Sequence, residues 1–181
     1  LEIGSDSREV GEFALKSLDA AISAFQDGRI DALVTAPVDK NNINSEAQPF
    51  SGHTGYIGDK VAGEPLMILT SKELKIALVT GHIALKDVSG QLSVDLIEQR
   101  INQLHDSLVQ DFGISKPKIA VLGLNPHAGD NGLLGEEEEK IINPAIKRAF
   151  AAGKLVYGPY AADGYFGVET YSKFDATPVS Y

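Results

Sequence analysis

The chain has no cysteine, no tryptophan and a single methionine in its 181 residues. Without thiols there are no disulfides and no thiolate metal sites, so any metal must be held by His, Asp or Glu. A cysteine-free chain fits the cytoplasm, the compartment expected here. Basic residues are also scarce: 16 Lys and Arg stand against 25 Asp and Glu, a formal net charge of -9. That balance opposes binding to a phosphate backbone, so neither nucleic acid nor an anionic membrane is an expected partner. A phosphorylated small molecule stays open, because a few local donors can outweigh a global field. No apolar run approaches the roughly 20 residues of a membrane helix. Leu1 to Val10 have neither a basic start nor an apolar stretch, so no secretory signal is read there.

Apolar residues make up 43% of the chain, enough for a sizeable core. Asp6 or Ser7 can cap a first helix whose apolar stripe is Val10, Ala14, Leu18, Ala21, Ile22 and Phe25, with Gly28 as its stop. A short strand is expected over Ile30 to Thr35, and a short helix over Tyr56 to Val61. Leu66 to Thr70 and Leu74 to Thr80 read as two strands. Only Ser71-Lys72-Glu73 separates them, too few residues for a parallel crossover, so they form an antiparallel hairpin. Ser93 caps the clearest helix, with Ile97, Ile101, Leu104 and Leu108 inward and Gly113 at its end. Lys118 to Leu124 is a buried strand. Glu136 to Ala152 is helical, kinked or started late by Pro144. From Tyr157 onward no period is visible. The fold class is α/β: a mixed sheet with flanking helices, expected as one unit over 1–181.

The histidines are the informative residues. His82 and His127 each follow a strand, at the edge where α/β folds gather ligands. Two such imidazoles can converge on a metal, yet on spacing alone they read first as loop histidines bonded to backbone. His53 lies in Ser51-Gly52-His53-Thr54, a turn able to hold a phosphate or hydroxyl or to be an ordinary turn. His105 reads as a solvated helix residue. Glu136 to Glu139 reads as a solvated helix start favoured by the macrodipole, and Asp163 as an acid, a base or a turn former. Gly129, Gly132 and Gly135 do not match the dinucleotide fingerprint.

Four strings carry a resemblance: Leu33 to Lys40 (LVTAPVDK), Phe50 to Thr54 (FSGHT), Gly123 to Gly129 (GLNPHAG) and Gly158 to Asp163 (GPYAAD). In this order and spacing, from about Gly11 to Ala176, the chain resembles the 4-hydroxythreonine-4-phosphate dehydrogenase family. The resemblance implies part of a two-domain fold like that of isocitrate and isopropylmalate dehydrogenases, and a homodimer whose sites are shared between subunits. It implies oxidation of 4-phosphooxy-L-threonine by NAD, with loss of carbon dioxide from the β-keto acid formed, on the route to pyridoxal phosphate. By the same resemblance His53 and Thr54 contact substrate, His82 and His127 hold a divalent metal (Zn, Mg or Co), and Asp163 is a candidate catalytic residue. The family's third metal histidine belongs to a Tyr-His-Asp-Gln-Gly string that does not occur here. The chain, which starts on Leu1 rather than Met, is therefore expected to be an inactive fragment, truncated at both ends and without most of the NAD site. A related phosphorylated hydroxy acid such as phosphothreonate is an alternative substrate, and a non-catalytic dimerising module an alternative role.

Overall fold

In the computed structural model residues 7–44, 50 and 52–181 are described. Asp6, Ser51 and the other residues outside those ranges carry no structural statement. Where one α/β unit is expected, the chain divides into two compact units, Leu1–Pro65 and Leu66–Tyr181.

In the first unit the Ser7 side chain accepts from the Val10 N–H and starts helix α1 (Arg8–Gln26). Gly28, at φ 67, ends it, with the Arg29 N–H donating back to the Ala24 carbonyl. The buried stripe is Gly11, Leu15, Leu18 and Ile22. It is rotated from the expected one, and Phe25 lies on its exposed rim. The apolar pattern could not reveal Gly11, which is buried because helix α2 (Lys40–Ile43) packs against it. Helix α3 (His53–Gly58) completes the unit, and Phe50, Tyr56 and Ile43 join Leu15, Leu18 and Ile22 in its core. The strand expected over Ile30 to Thr35 is not formed. The segment is irregular and Val34 is 96% exposed, because no neighbouring strand offers a hydrogen-bonding ladder among the described residues.

The second unit holds the mixed sheet. Strands β1 (Ile68–Thr70) and β2 (Lys75–Leu78) form the expected antiparallel hairpin, with Ile68 opposite Ala77. Helix α4 (Val88–Gln91) and helix α5 (Val94–Gln110) then lead to β3 (Lys118–Leu122). A π-helical turn, Glu138–Ile142, runs into α6 (Asn143–Ala151), so the turn changes at Pro144 as expected of a residue that cannot donate to the preceding turn. Strand β4 (Leu155–Tyr160), helix α7 (Ala162–Gly167) and strand β5 (Thr177–Val179) fill the tail that showed no period. β5 pairs parallel to β2, and β4 pairs parallel to β3. A parallel bridge between Ile119 and Ala176, with the Ala120 N–H donating to the Ala176 carbonyl, stitches β5 to β3. The strand order across the unit is therefore β1-β2-β5-β3-β4, the last four parallel.

One face of this sheet is closed by α5 and α6. Ile97, Ile101, Leu104 and Leu108 of α5 are fully buried against Val79, Ile119, Val121 and Val156, each contributing roughly 1.5–3 kcal/mol by burial. The other face carries Ala120 and Leu122 under Tyr165 of α7, whose hydroxyl meets the Thr177 hydroxyl at 2.7 Å. His105 is half-buried on α5, beside Asp106, rather than solvated. No helix among the described residues is long and apolar enough to cross a membrane.

Candidate functional site

Parallel strands put all their carboxyl ends on one edge, and the chemistry-bearing residues of the second unit collect there. β2 leads through Val79 and Thr80 to His82, β3 through Gly123 to His127, and β4 through Ala161 to Asp163. β3 and β4 are neighbours, so their loops meet: His127 Nδ1 lies 3.4 Å from Asp163 Oδ2. The other carboxylate oxygen of Asp163 accepts from the Gly164 N–H at 2.8 Å, which fixes the group at the start of α7. Both side chains are about two-thirds exposed, 68% and 65%, so the pair serves orientation better than stability.

His82 issues from β2, with β5 between it and β3, an offset of about 10 Å across two strand spacings. It is exposed in a tight turn closed by the Ile83 N–H donating to the Gly81 carbonyl. Thr80, just before it, is anchored twice to the Ser180 carbonyl, by its N–H and by its hydroxyl. Arg100 of α5 donates to the Val79 carbonyl. The base of the loop is thus fixed while its tip is free to meet a ligand. Among the described residues no group of three or more His, Asp or Glu side chains is gathered as a metal site. The structure brings His127 to Asp163 and leaves His82 apart from that pair along the same edge.

A hollow of about 600 Å³ opens beside His127 and Asp163, floored by Leu78, Leu122 and Val179 and edged by Phe166. Among the described residues its lining includes no Lys or Arg.

The loop that presents His127 has an unusual backbone. His127, Ala128, Asp130 and Asn131 all have φ between 43 and 55, and Gly129 and Gly132 continue the run at 81 and 88. A left-handed turn of side-chain-bearing residues costs roughly 1–2 kcal/mol for each, and such strain persists only where the surroundings over-determine it. Beneath the start of this loop lies Glu138, expected from the sequence to belong to a solvated acidic run. It is 2% exposed. Its Oε1 accepts from the Leu124 and Asn125 N–H groups, each at 2.8 Å, and its Oε2 from the Asn125 side-chain amide at 2.9 Å. Next to it, Glu137 accepts from Ser89 and from Asn125, and those bonds, that from Ser89 first, hold its carboxyl below the ordinary glutamate value. Spacing Glu138 from the glycines of 123–135 was the one available signal.

In the first unit His53 is the first residue of α3, its ring set edge-on to Phe50 at 5.7 Å. Thr54 follows it, exposed. Gly52, at φ 120, brings its backbone so near Lys40 that a side chain there would lie 3.6 Å from Nζ. Lys40, read only as part of a resembling string, is thus a cation at the 52–54 turn.

Comparison with known proteins bears on the whole length. A 4-hydroxythreonine-4-phosphate dehydrogenase of Bacteroides thetaiotaomicron is 44% identical over 183 residues, spanning 100% of this chain and 50% of that protein. One from Sulfurihydrogenibium is 40% identical over 182 residues, spanning 100% of this chain and 56% of its own length. Among solved structures, the enzyme of that name from Klebsiella pneumoniae superposes with a TM-score of 0.84 at 30% identity, over 100% of this chain and 56% of the other. A terephthalate 1,2-cis-dihydrodiol dehydrogenase from Burkholderia xenovorans superposes at 0.75 with 26% identity, over 100% and 57%. The chain therefore spans about half the length of the curated relatives it matches. The profile described as "Pyridoxal phosphate biosynthetic protein PdxA" matches residues 1–181: this chain belongs to the PdxA family.

Proposed function

We propose that the protein contributes the histidine-bearing part of an NAD-dependent, divalent-metal-dependent dehydrogenase that oxidises 4-phosphooxy-L-threonine and leads to its decarboxylation. One observation carries the reading. His127 turns Nδ1 toward Asp163, leaving Nε2 for a ligand, on the same strand edge from which His82 emerges. That is the arrangement of an imidazole ligand oriented by an outer carboxylate. His82 and His127 are imidazole donors, which among Zn, Mg and Co suit Zn and Co better than the oxygen-seeking Mg. Bound there, a divalent cation supplies Lewis acidity beside the substrate hydroxyl.

The residues of the chain do the rest of the assigned work. Asp163 fixes the His127 tautomer, a positioning role in place of the acid or base first considered. His53 and Thr54 hold the substrate through an imidazole and a hydroxyl, and Lys40 adds a cation for its phosphate. NAD as hydride acceptor follows from the resemblance. The glycines of 123–135 enclose a carboxylate instead of offering a phosphate cradle, so no dinucleotide contact is assigned to them. The remaining ligands and the dinucleotide site are assigned to the half of the longer relatives that this chain does not span. The kinship with isocitrate-type two-domain dehydrogenases, the homodimer and the cytoplasmic location belong to the same reading.

A second reading has its own support. The hollow beside His127 is lined without Lys or Arg, and one structural relative is named for a dihydrodiol of terephthalate. A carbinol without a phosphate is then the substrate of the same metal-assisted oxidation, whereas phosphothreonate would need the same cations as the first reading.

The test is a Co(II) titration of the 181-residue chain followed by histidine ring NMR. The reading expects the His82 and His127 signals to broaden together, with substitution of either by Ala weakening the effect on the other. Independent responses would defeat it. NADH formation with metal and each candidate substrate is expected to be negligible for this chain. Turnover like that of a full-length relative would overturn the division of the site.

A further inference from the structure

Residues 127–132 form a continuous run of positive φ, from His127 through Gly132, and four of the six carry side chains. Gly129, Asp130, Asn131 and Gly132 accept that shape readily, but His127 and Ala128 do not, so their conformation has to be held from elsewhere. The bonds of Glu138 reach the two residues on which the turn is hinged, Leu124 and Asn125, by their backbone N–H groups, and clasp the Asn125 side chain as well. The enclosure is close. A Cβ on Gly129 would lie 2.6 Å from Glu138 Oε2, and one on Gly123 would lie 3.0 Å from Oε1. A carboxylate suits the position because it only accepts, and the groups facing it are all donors.

We infer that Glu138 is a positioning residue for His127: its buried carboxylate holds the left-handed turn and so sets the direction of the imidazole toward Asp163 and the ligand. Glu138 itself touches neither. The inference rests on the metal role proposed for His127, and its geometric half stands apart from that role.

Glu138→Gln separates the possibilities. One amide oxygen still accepts the two backbone N–H groups, while the amide nitrogen is turned against the Asn125 amide, donor against donor. Asn125 cannot flip to relieve this without setting its oxygen against Glu137. In the intact chain, Glu138→Gln is expected to move the His127 ring resonance, leave those of His53 and His105 in place, and weaken Co(II) binding about tenfold, the usual effect of losing an outer partner. Glu138→Asp, which keeps the charge but withdraws it, is expected to fall between. Ile101→Val in α5 serves as the control. It lowers stability without approaching the loop, and is expected to leave both readouts unchanged.

If Glu138→Gln leaves the His127 resonance and Co(II) affinity at their wild-type values, the inference is overturned. It is equally overturned if Ile101→Val moves them as much, since the role would then be stability alone. If the unsubstituted chain binds no Co(II), the proposed metal centre fails, and the His127 resonance then decides the positioning claim by itself.

Discussion

Replacing Gly11 by alanine sets two ordinary rules against each other. Gly11 sits inside α1, where alanine is favoured over glycine by roughly 0.8–1 kcal/mol. The structure predicts the opposite sign. A Cβ at this position would lie 2.1 Å from the Asn42 carbonyl oxygen, 2.4 Å from its carbon and 2.9 Å from the Ile43 nitrogen. All of these are backbone atoms of α2, so no side chain can rotate aside. To make room, α2 has to back away, drawing Ile43 off Leu15, Leu18 and Ile22. Overpacking of this kind costs about 1–3 kcal/mol, occasionally more. Contacts this short put the cost at the upper end of that range, so after the propensity gain the expected net loss is about 2 kcal/mol. Amide hydrogen exchange read on peptides from 8–26 is the appropriate assay, because it isolates α1 from the rest of the chain. Gly164→Ala in α7 is the companion, since a Cβ there meets nothing within 4 Å. It is expected to stabilise by about 0.4–1 kcal/mol. If Gly11→Ala slows exchange in α1 as a simple helix-propensity gain would, the close approach of α1 and α2 is wrong, and so is the placement of Lys40 that depends on α2.

Other substitutions test the second unit. Tyr165→Phe strands the Thr177 hydroxyl, which is 1% exposed, at a cost of about 1–2 kcal/mol; Tyr165→Phe combined with Thr177→Val should recover most of it, as measured by urea unfolding. Burial raises the Tyr165 pKa above its ordinary value of 10.0, outweighing its bond with Thr177. The stability tied to that proton is complete below pH 10.0 and is lost as pH rises through the folded value. Tyr165→Phe should therefore flatten the alkaline limb of a thermal-midpoint profile. Glu137 has the opposite sign. Its lowered pKa stabilises above the ordinary 4.5 and the benefit is lost as pH falls through the folded value, so Ser89→Ala should bring acid unfolding to higher pH. Asp163→Asn should leave the melting temperature unchanged, because the pair is exposed, yet weaken Co(II) binding about tenfold. Unaltered affinity would remove Asp163 from the site.

How much of this could be read from the residues depends on range. The α5 stripe, its Ser93 cap and the β1–β2 hairpin were legible because each is decided within a few turns or a short connection. The Ile30 to Thr35 segment has strand composition, but a strand needs a partner, and a partner is not a local property. Strand β5 was missed for the reverse reason. Thr177-Pro178-Val179 looks unlike a central strand, since proline cannot donate to a ladder, yet Pro178 pairs opposite Ala77. Gly11 and Glu138 escaped because burial by a close backbone, or by a ring of donors, leaves no hydrophobic trace.

The site repeats that division. Motif strings point to His82, His127 and Asp163, but only strand order decides which of them can cooperate. β3 and β4 are adjacent, so His127 and Asp163 meet without help. β2 and β3 are held apart by β5, so His82 and His127 leave strands that flank it. Strands two spacings apart stand about 10 Å from each other, a separation that two inward-reaching imidazoles can span, as the proposed reading requires. The position of β5, more than any single motif, therefore sets how far apart the two histidines leave this edge.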